Sequence, residues 1–201
     1  ADVNLLINPD FALAYAAQRL TNTNLPYIRG ADRLLPNYED APVLPYGWTV
    51  LPGKDNQGTL SWVDVDGVKA LRVRTEEGDR LTLRQTLVEL VPGGDYTAGL
   101  TFRGTGRIDL RVWANQPAPW QSLVQTTLVA KAEEWTTAER PFSPGPHRHL
   151  AGYALDINGK ADLLLRNAVI AADTPAIPNV LTQPAVRDEQ TLFFENFDGD
   201  R

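Results

Sequence analysis

From residue 59 to residue 172, period-2 alternation of hydrophobic and polar side chains dominates, and no long segment repeats at the 3.6-residue spacing of a helix. Thr59 to Val65 and Val68 to Thr75 flank Asp66-Gly67, a pair suited to the positive φ angles of a two-residue hairpin. Glu76-Glu77-Gly78-Asp79 turns the chain into a strand over 81–90, and Pro92-Gly93-Gly94-Asp95 turns it again into 96–103. Gly104-Thr105-Gly106 is expected to close another hairpin onto 107–114. Further strands are predicted over 122–130, 134–142, 149–157 and 161–171, with Asn158-Gly159 between the last two. Regular strands with regular turns and no internal repeat predict an all-β chain: an antiparallel β-sandwich with jelly-roll topology over residues 4–172. Leu71, Val73, Leu83, Leu100, Phe102, Leu110, Val112, Leu155 and Leu165 are its expected core.

Two regions interrupt this rhythm. Residues 12–47 form a polar insertion spaced by Pro26, Pro36, Pro42 and Pro45, whose opening, Ala12 to Leu20, is expected to make a short helix. Residues 173–201 begin as a Pro-spaced connector and end in Thr191-Leu192-Phe193-Phe194-Glu195-Asn196-Phe197. The expected organisation is a sandwich domain over 1–172 followed by an arm over 173–201. Leu192, Phe193, Phe194 and Phe197 are too apolar for an idle linker. They form a candidate assembly arm, able to add a strand to a sheet edge of this chain or of a protein partner.

Composition narrows the chemistry. Apolar residues at 43% and charged residues at 22% suffice for a packed core. Lys plus Arg at 19 against Asp plus Glu at 25 leaves a net charge of −6, a poor match to nucleic acid or an anionic membrane. No stretch approaches the ~18 apolar residues of a membrane-spanning helix, and Ala1-Asp2-Val3-Asn4 does not read as a leader. The absence of Cys excludes thiolate metal sites, thiol nucleophiles and disulfides. His147 and His149 lie on one side of an extended segment, but zinc needs three or four ligands. The acidic pairs Glu76-Glu77 and Glu133-Glu134 point apart on extended chain, whereas a glycosidase needs two carboxyls facing across a cleft. Gly104-Thr105-Gly106 lacks the rest of a dinucleotide loop, and neither a nucleophile elbow nor a P-loop occurs. The expectation is a non-catalytic protein without metal or cofactor.

Side-chain parity picks out the binding candidates. Tyr96, Ala98, Leu100 and Phe102 share one face of their strand, and Thr97, Gly99, Thr101 and Arg103 the other. Ile108, Leu110 and Val112 oppose Asp109, Arg111 and Trp113; Tyr153, Leu155 and Ile157 oppose Gly152, Ala154 and Asp156. If these strands are neighbours, the non-core face carries Arg103, Asp109, Arg111, Trp113 and Asp156, with Trp120 as a plate on the following loop. An indole beside fixed polar groups suits a sugar, whose C–H face stacks while its hydroxyls are hydrogen-bonded. The competing reading packs Trp113 under the 117–120 loop and makes the charges a salt-bridged surface. Trp48, Trp62 and Trp135 are expected in the core or at its rim. Outward arginines at 72, 74, 84, 103 and 111 suit an acidic polysaccharide, since guanidinium pairs with carboxylate bidentately.

The opening Asn4-Leu5-Leu6-Ile7-Asn8-Pro9-Asp10-Phe11 resembles that of carbohydrate-binding modules of the family 4, 9 and 22 type. Gly47-Trp48, Lys69 to Val73, Leu83-Arg84-Gln85 with Val91-Pro92-Gly93 and Tyr96, Glu134-Trp135, and Gly159 to Leu165 follow in the order of that group. Related openings occur in bacteriophage head and tail proteins. The resemblance implies a β-jelly-roll and a glycan-binding module, extracellular or virion-associated. Its alternatives are a structural subunit of a phage-like particle, or an accessory module of a larger glycoside hydrolase. Such modules often hold a structural calcium through acidic residues at places occupied here by Ala12 and Arg166, so calcium is not expected and the Arg166 guanidinium is expected on the ion's backbone carbonyls.

Overall fold

A computed structural model of the chain describes residues 4–16, 43–52, 58–116 and 118–172. Those residues form twelve strands and no helix. They are β1 (Ala14–Ala16), β2 (Val43–Pro45), β3 (Thr49–Pro52), β4 (Thr59–Val65), β5 (Val68–Thr75) and β6 (Arg80–Glu89), then β7 (Tyr96–Thr105), β8 (Arg107–Gln116), β9 (Gln121–Val129), β10 (Thr136–Phe142), β11 (Leu150–Asn158) and β12 (Ala161–Ala172). One five-stranded sheet has the order β10-β7-β12-β5-β4 and the other β3-β6-β11-β8-β9, while β1 and β2 pair separately. Every ladder is antiparallel. From β5 onward the chain changes sheet at every connection except the β8–β9 hairpin, so neighbours within a sheet are distant in sequence. This is the jelly-roll sandwich that the alternation predicts, but the hairpin expected across Gly104-Thr105-Gly106 does not form: the turn carries the chain from β7 in one sheet to β8 in the other.

Local chemistry explains the strand boundaries. Asp66 and Gly67 both have positive φ, 56° and 76°, as a tight hairpin twisted like its flanking strands requires. Beyond it, inward positions of both sheets are apolar, and all nine expected core residues are buried. The core extends further, through Phe11 and Trp48, whose ring centroids lie 4.7 Å apart, to Tyr153, edge-on to Trp48 at 5.9 Å. Trp48 is core, as expected, and Trp62 packs against it from a half-buried position. Buried Tyr153 on β11 donates its hydroxyl to the Gly99 carbonyl of β7 at 2.8 Å, tying one sheet to the other. Burial pushes the Tyr153 phenol well above its ordinary range, so it stays a donor.

The N-terminal motif is structural. The Asn4 side chain donates to the Ala168 carbonyl and accepts from Leu6 and Ile170 amides, fastening the opening segment to β12. Asn8 donates to the Leu13 and Tyr46 carbonyls and accepts from the Leu13 amide, closing the base of the β1–β2 pair. Trp48 and Trp62 donate their indole N–H groups to the Asn8 and Phe11 carbonyls. These bonds correct the helix expected over Ala12 to Leu20. Ala14–Ala16 is extended and pairs with Val43–Pro45, because the Asn8 amide holds the two backbones side by side. The rest of that helix, most of the insertion, and the arm residues Leu192, Phe193, Phe194 and Phe197 lie outside the described residues.

Candidate functional site

The outer face of the β3-β6-β11-β8-β9 sheet gathers most of the candidate residues. Its ladders place side chains in rows across the strands. One row runs Leu51, Thr82, Asp156, Asp109, Thr127. The next runs Thr49, Arg84, Ala154, Arg111, Gln125. Beyond it Gly152 faces Trp113, which faces Ser122. Alternation puts these residues outward because Leu81, Leu83, Leu110, Val112, Tyr153 and Leu155 fill the core beneath.

Trp113 lies over β11. A Cβ added to Gly152 would collide with the six-membered ring of the indole, so the glycine lets the ring rest directly on backbone. Trp113 is half-buried, with surface left to solvent, and the Arg111 guanidinium carbon sits 6.0 Å from its ring centroid. The salt-bridged surface of the competing reading is present around Asp156, with Arg80 and Arg111, and Trp113 keeps part of its surface exposed beside it.

Charge fixes the arginine. Asp156 is a carboxylate with 4% side-chain exposure, which is costly unless it is well paired. It accepts from Arg111 Nε and Thr82 Oγ1, and Arg80 Nη2 lies 3.4 Å away. Asp156 therefore sits beneath the surface and holds Arg111 beside Trp113. Asp109 accepts from Thr127 Oγ1 across the β8–β9 ladder. Trp120 is 58% exposed in the loop joining those strands, and Arg148 Nη1 steadies the loop by donating to the Pro119 carbonyl at 2.5 Å.

Arg103 does not belong to this face. It lies on β7, which pairs with β10 and β12 in the opposite sheet. Parity along its strand makes it outward, but from the other side of the sandwich. There it donates to the Ala132 carbonyl and approaches Glu133 and Asp66. It borders a shallow depression of about 340 Å³ floored by Val63, Val65 and Leu164. At its edge Arg72 binds Asp162 through two hydrogen bonds of 2.8 and 2.6 Å, with Arg74 at 3.2 Å. Hydrogen bonding from Arg72 holds the Asp162 carboxyl below its ordinary pKa against the opposing effect of burial. A carboxylate with a depressed folded pKa stabilises above its unfolded value and loses that contribution as pH falls through the folded value. Asp162→Asn is therefore expected to lower the melting temperature at pH 7, and the gap to the parent should close below about pH 4 in a pH series of thermal melts.

Arg166 also departs from expectation. Its guanidinium lies 3.9 Å from the Trp135 ring centroid and, among the described residues, makes no hydrogen bond to a backbone carbonyl. The Phe11 carbonyl, near the N-terminal motif, is taken by Trp62. Among the described residues no three His, Asp or Glu side chains converge.

Sequence reasoning missed Arg80, Thr82 and Thr127 on the site face and marked Arg84 as outward without placing it beside Arg111. Parity along β6 and β9 marks them as outward, but only pairing places β6 beside β11 and β9 beside β8.

No family model matches the sequence, and no curated protein matches it. Solved structures do resemble the fold. A family 4 carbohydrate-binding module is 12% identical at a TM-score of 0.55, over 83% of this chain and 99% of its own. A family 61 module in complex with β-1,4-galactotriose is 17% identical at a TM-score of 0.52, over 84% and 97%. The enzymatically active domain of bacteriophage CBA120 tailspike protein 4 is 11% identical at a TM-score of 0.54, over 63% of this chain, which spans 19% of the tailspike chain. The chain thus has the jelly-roll fold of carbohydrate-binding modules.

Proposed function

We propose that this chain is a non-catalytic, polysaccharide-binding jelly-roll module acting outside the cell or on a virion, and that it binds glycan on the outer face of the β3-β6-β11-β8-β9 sheet. The observation that carries this reading is Trp113 resting on the Gly152 backbone beside a fixed Arg111. A pyranose ring stacks its C–H face on the indole, and Arg111, Asp109 and Gln125 offer donors and acceptors to its hydroxyls. Trp120 supplies a second plate from the loop. The family 61 neighbour is described in complex with a galactose trisaccharide, which supports a sugar ligand for this architecture. The arginines of the face favour an acidic polysaccharide. Affinity per site should be weak, because few side chains take part, and stronger where many copies are presented together.

A glycan array followed by titration calorimetry tests the proposal. Binding to at least one polysaccharide class, competed by its free oligosaccharide, is the expected result; no binding across the array defeats it.

The likeness to a tailspike domain supports a second reading, a structural or accessory module of a phage-like particle or of a larger hydrolase. In it Leu192, Phe193, Phe194 and Phe197 bind another chain. Light scattering of the full chain and of a form lacking residues 173–201 distinguishes the two. Loss of an oligomer on truncation supports assembly through the arm, and an unchanged monomer removes that role.

A further inference from the structure

We infer that the site selects a carboxylate-bearing sugar, a uronic acid, and that Arg84 is the specificity-determining residue; this rests on the glycan-binding reading above. Arg84 and Arg111 occupy one row of the sheet, separated only by Ala154 on the intervening strand. Two strand spacings put their backbones about 9.6 Å apart, a gap two long side chains close from either side. Between them Ala154 is fully buried and Gly152 lies beneath the Trp113 ring, so a ligand meets the arginine side chains and the indole rather than the backbone of the sheet.

The two guanidinium groups differ in what holds them. Arg111 is fixed by Asp156. Arg84 makes neither a hydrogen bond nor an ion pair among the described residues, and its Nε is buried without a partner. Elsewhere Arg72 and Arg74 are satisfied by Asp162, and Arg103 by the Ala132 carbonyl and Glu133, while Arg107, at the far end of β8, is exposed to solvent. Arg166 shares the unpartnered Nε, but its cation is spent on the Trp135 ring. A half-buried guanidinium without a counter-charge is unfavourable; Nε is out of a ligand's reach, but a carboxylate held by the two terminal nitrogens in a bidentate fork supplies the missing charge. The charge of the face agrees: Arg80, Arg84, Arg107 and Arg111 outnumber Glu89, Asp109 and Asp156. Trp113 follows Arg111 by two positions on the same strand face, about 6.8 Å away. A ring stacked on the indole therefore places its ring substituents over the arginine row.

The test compares polygalacturonate, alginate, glucuronoxylan and hyaluronan with their methyl-esterified or carboxyl-reduced forms, and with a sulfated galactan, by affinity electrophoresis and calorimetry. The parent chain should bind at least one uronic-acid polymer about tenfold or more tightly than its neutralised form. Arg84→Gln should remove that preference while keeping the melting temperature and the residual affinity for the neutral form. Arg84→Lys, which keeps the charge but not the fork, should retain part of it. Equal binding of acidic and neutralised forms overturns the inference and leaves the stacking site standing. So does an Arg84→Gln variant that keeps the preference, or a stronger preference for the sulfated polymer. Absence of binding to every glycan, neutral forms included, overturns both this inference and the reading beneath it.

Discussion

Trp113→Ala should lose glycan affinity by about thirtyfold or more, the scale of an interface hot spot worth roughly 2 kcal/mol, while the melting temperature moves by only a few degrees. The indole is half-buried and rests on the outside of the sheet, so its removal exposes Gly152 without opening the core. A sugar that stacked there loses its largest apolar contact. Calorimetry on the folded variant reads the first effect, and a thermal melt the second. Gly152→Ala is the companion measurement. Its methyl would displace the ring while adding nothing that binds sugar, so affinity should fall although every polar partner remains. A Trp113→Ala protein that is folded and binds as well as the parent would move the site elsewhere.

The second large effect is on stability. Tyr153→Ala should cost about 3–5 kcal/mol, a substantial share of the roughly 5–15 kcal/mol that holds a domain together. Tyr153 is fully buried, touches Trp48 edge-on, and carries the hydrogen bond to the Gly99 carbonyl of the opposite sheet. Removing it leaves a cavity where the two sheets meet and a buried carbonyl without its donor. Tyr153→Phe separates the two contributions, since it keeps the ring and should cost only about 1 kcal/mol. Urea denaturation of the three proteins provides the comparison. A Tyr153→Ala variant within 1 kcal/mol of the parent would mean that the Trp48 cluster repacks into the space.

Both effects depend on which face a side chain takes, and that much is legible along the chain. Period-2 alternation separates Leu110 and Val112 from Arg111 and Trp113 on β8, and Tyr153 and Leu155 from Asp156 on β11, because successive residues of a strand point to opposite sides. Turn residues carry equally local information: Asp66-Gly67 sets its hairpin whatever lies around it. Alternation fails where the segment is short. β2 and β3 span three and four residues within proline-bearing chain, too few to display a period, and their pairing rests on Asn8 and on β6.

Strand order was beyond such local signals. Arg103 and Arg111 are equally outward and close in sequence, yet the chain crosses from one sheet to the other between β7 and β8, and the two arginines end on opposite sides of the sandwich. Conversely, Arg84 and Thr82 are far from Arg111 and Asp156 in sequence, and the placing of β11 between β6 and β8 unites them. Arg166 likewise found Trp135 rather than the N-terminal carbonyls. The sequence alone therefore determined the strands from β4 onward, much of the core and the class of fold, because backbone sterics and side-chain alternation act over a few residues. Only the tertiary structure decided which outward residues meet, because pairing between distant strands is settled by burying all the inward faces together, and that cooperative choice leaves no mark on any single strand.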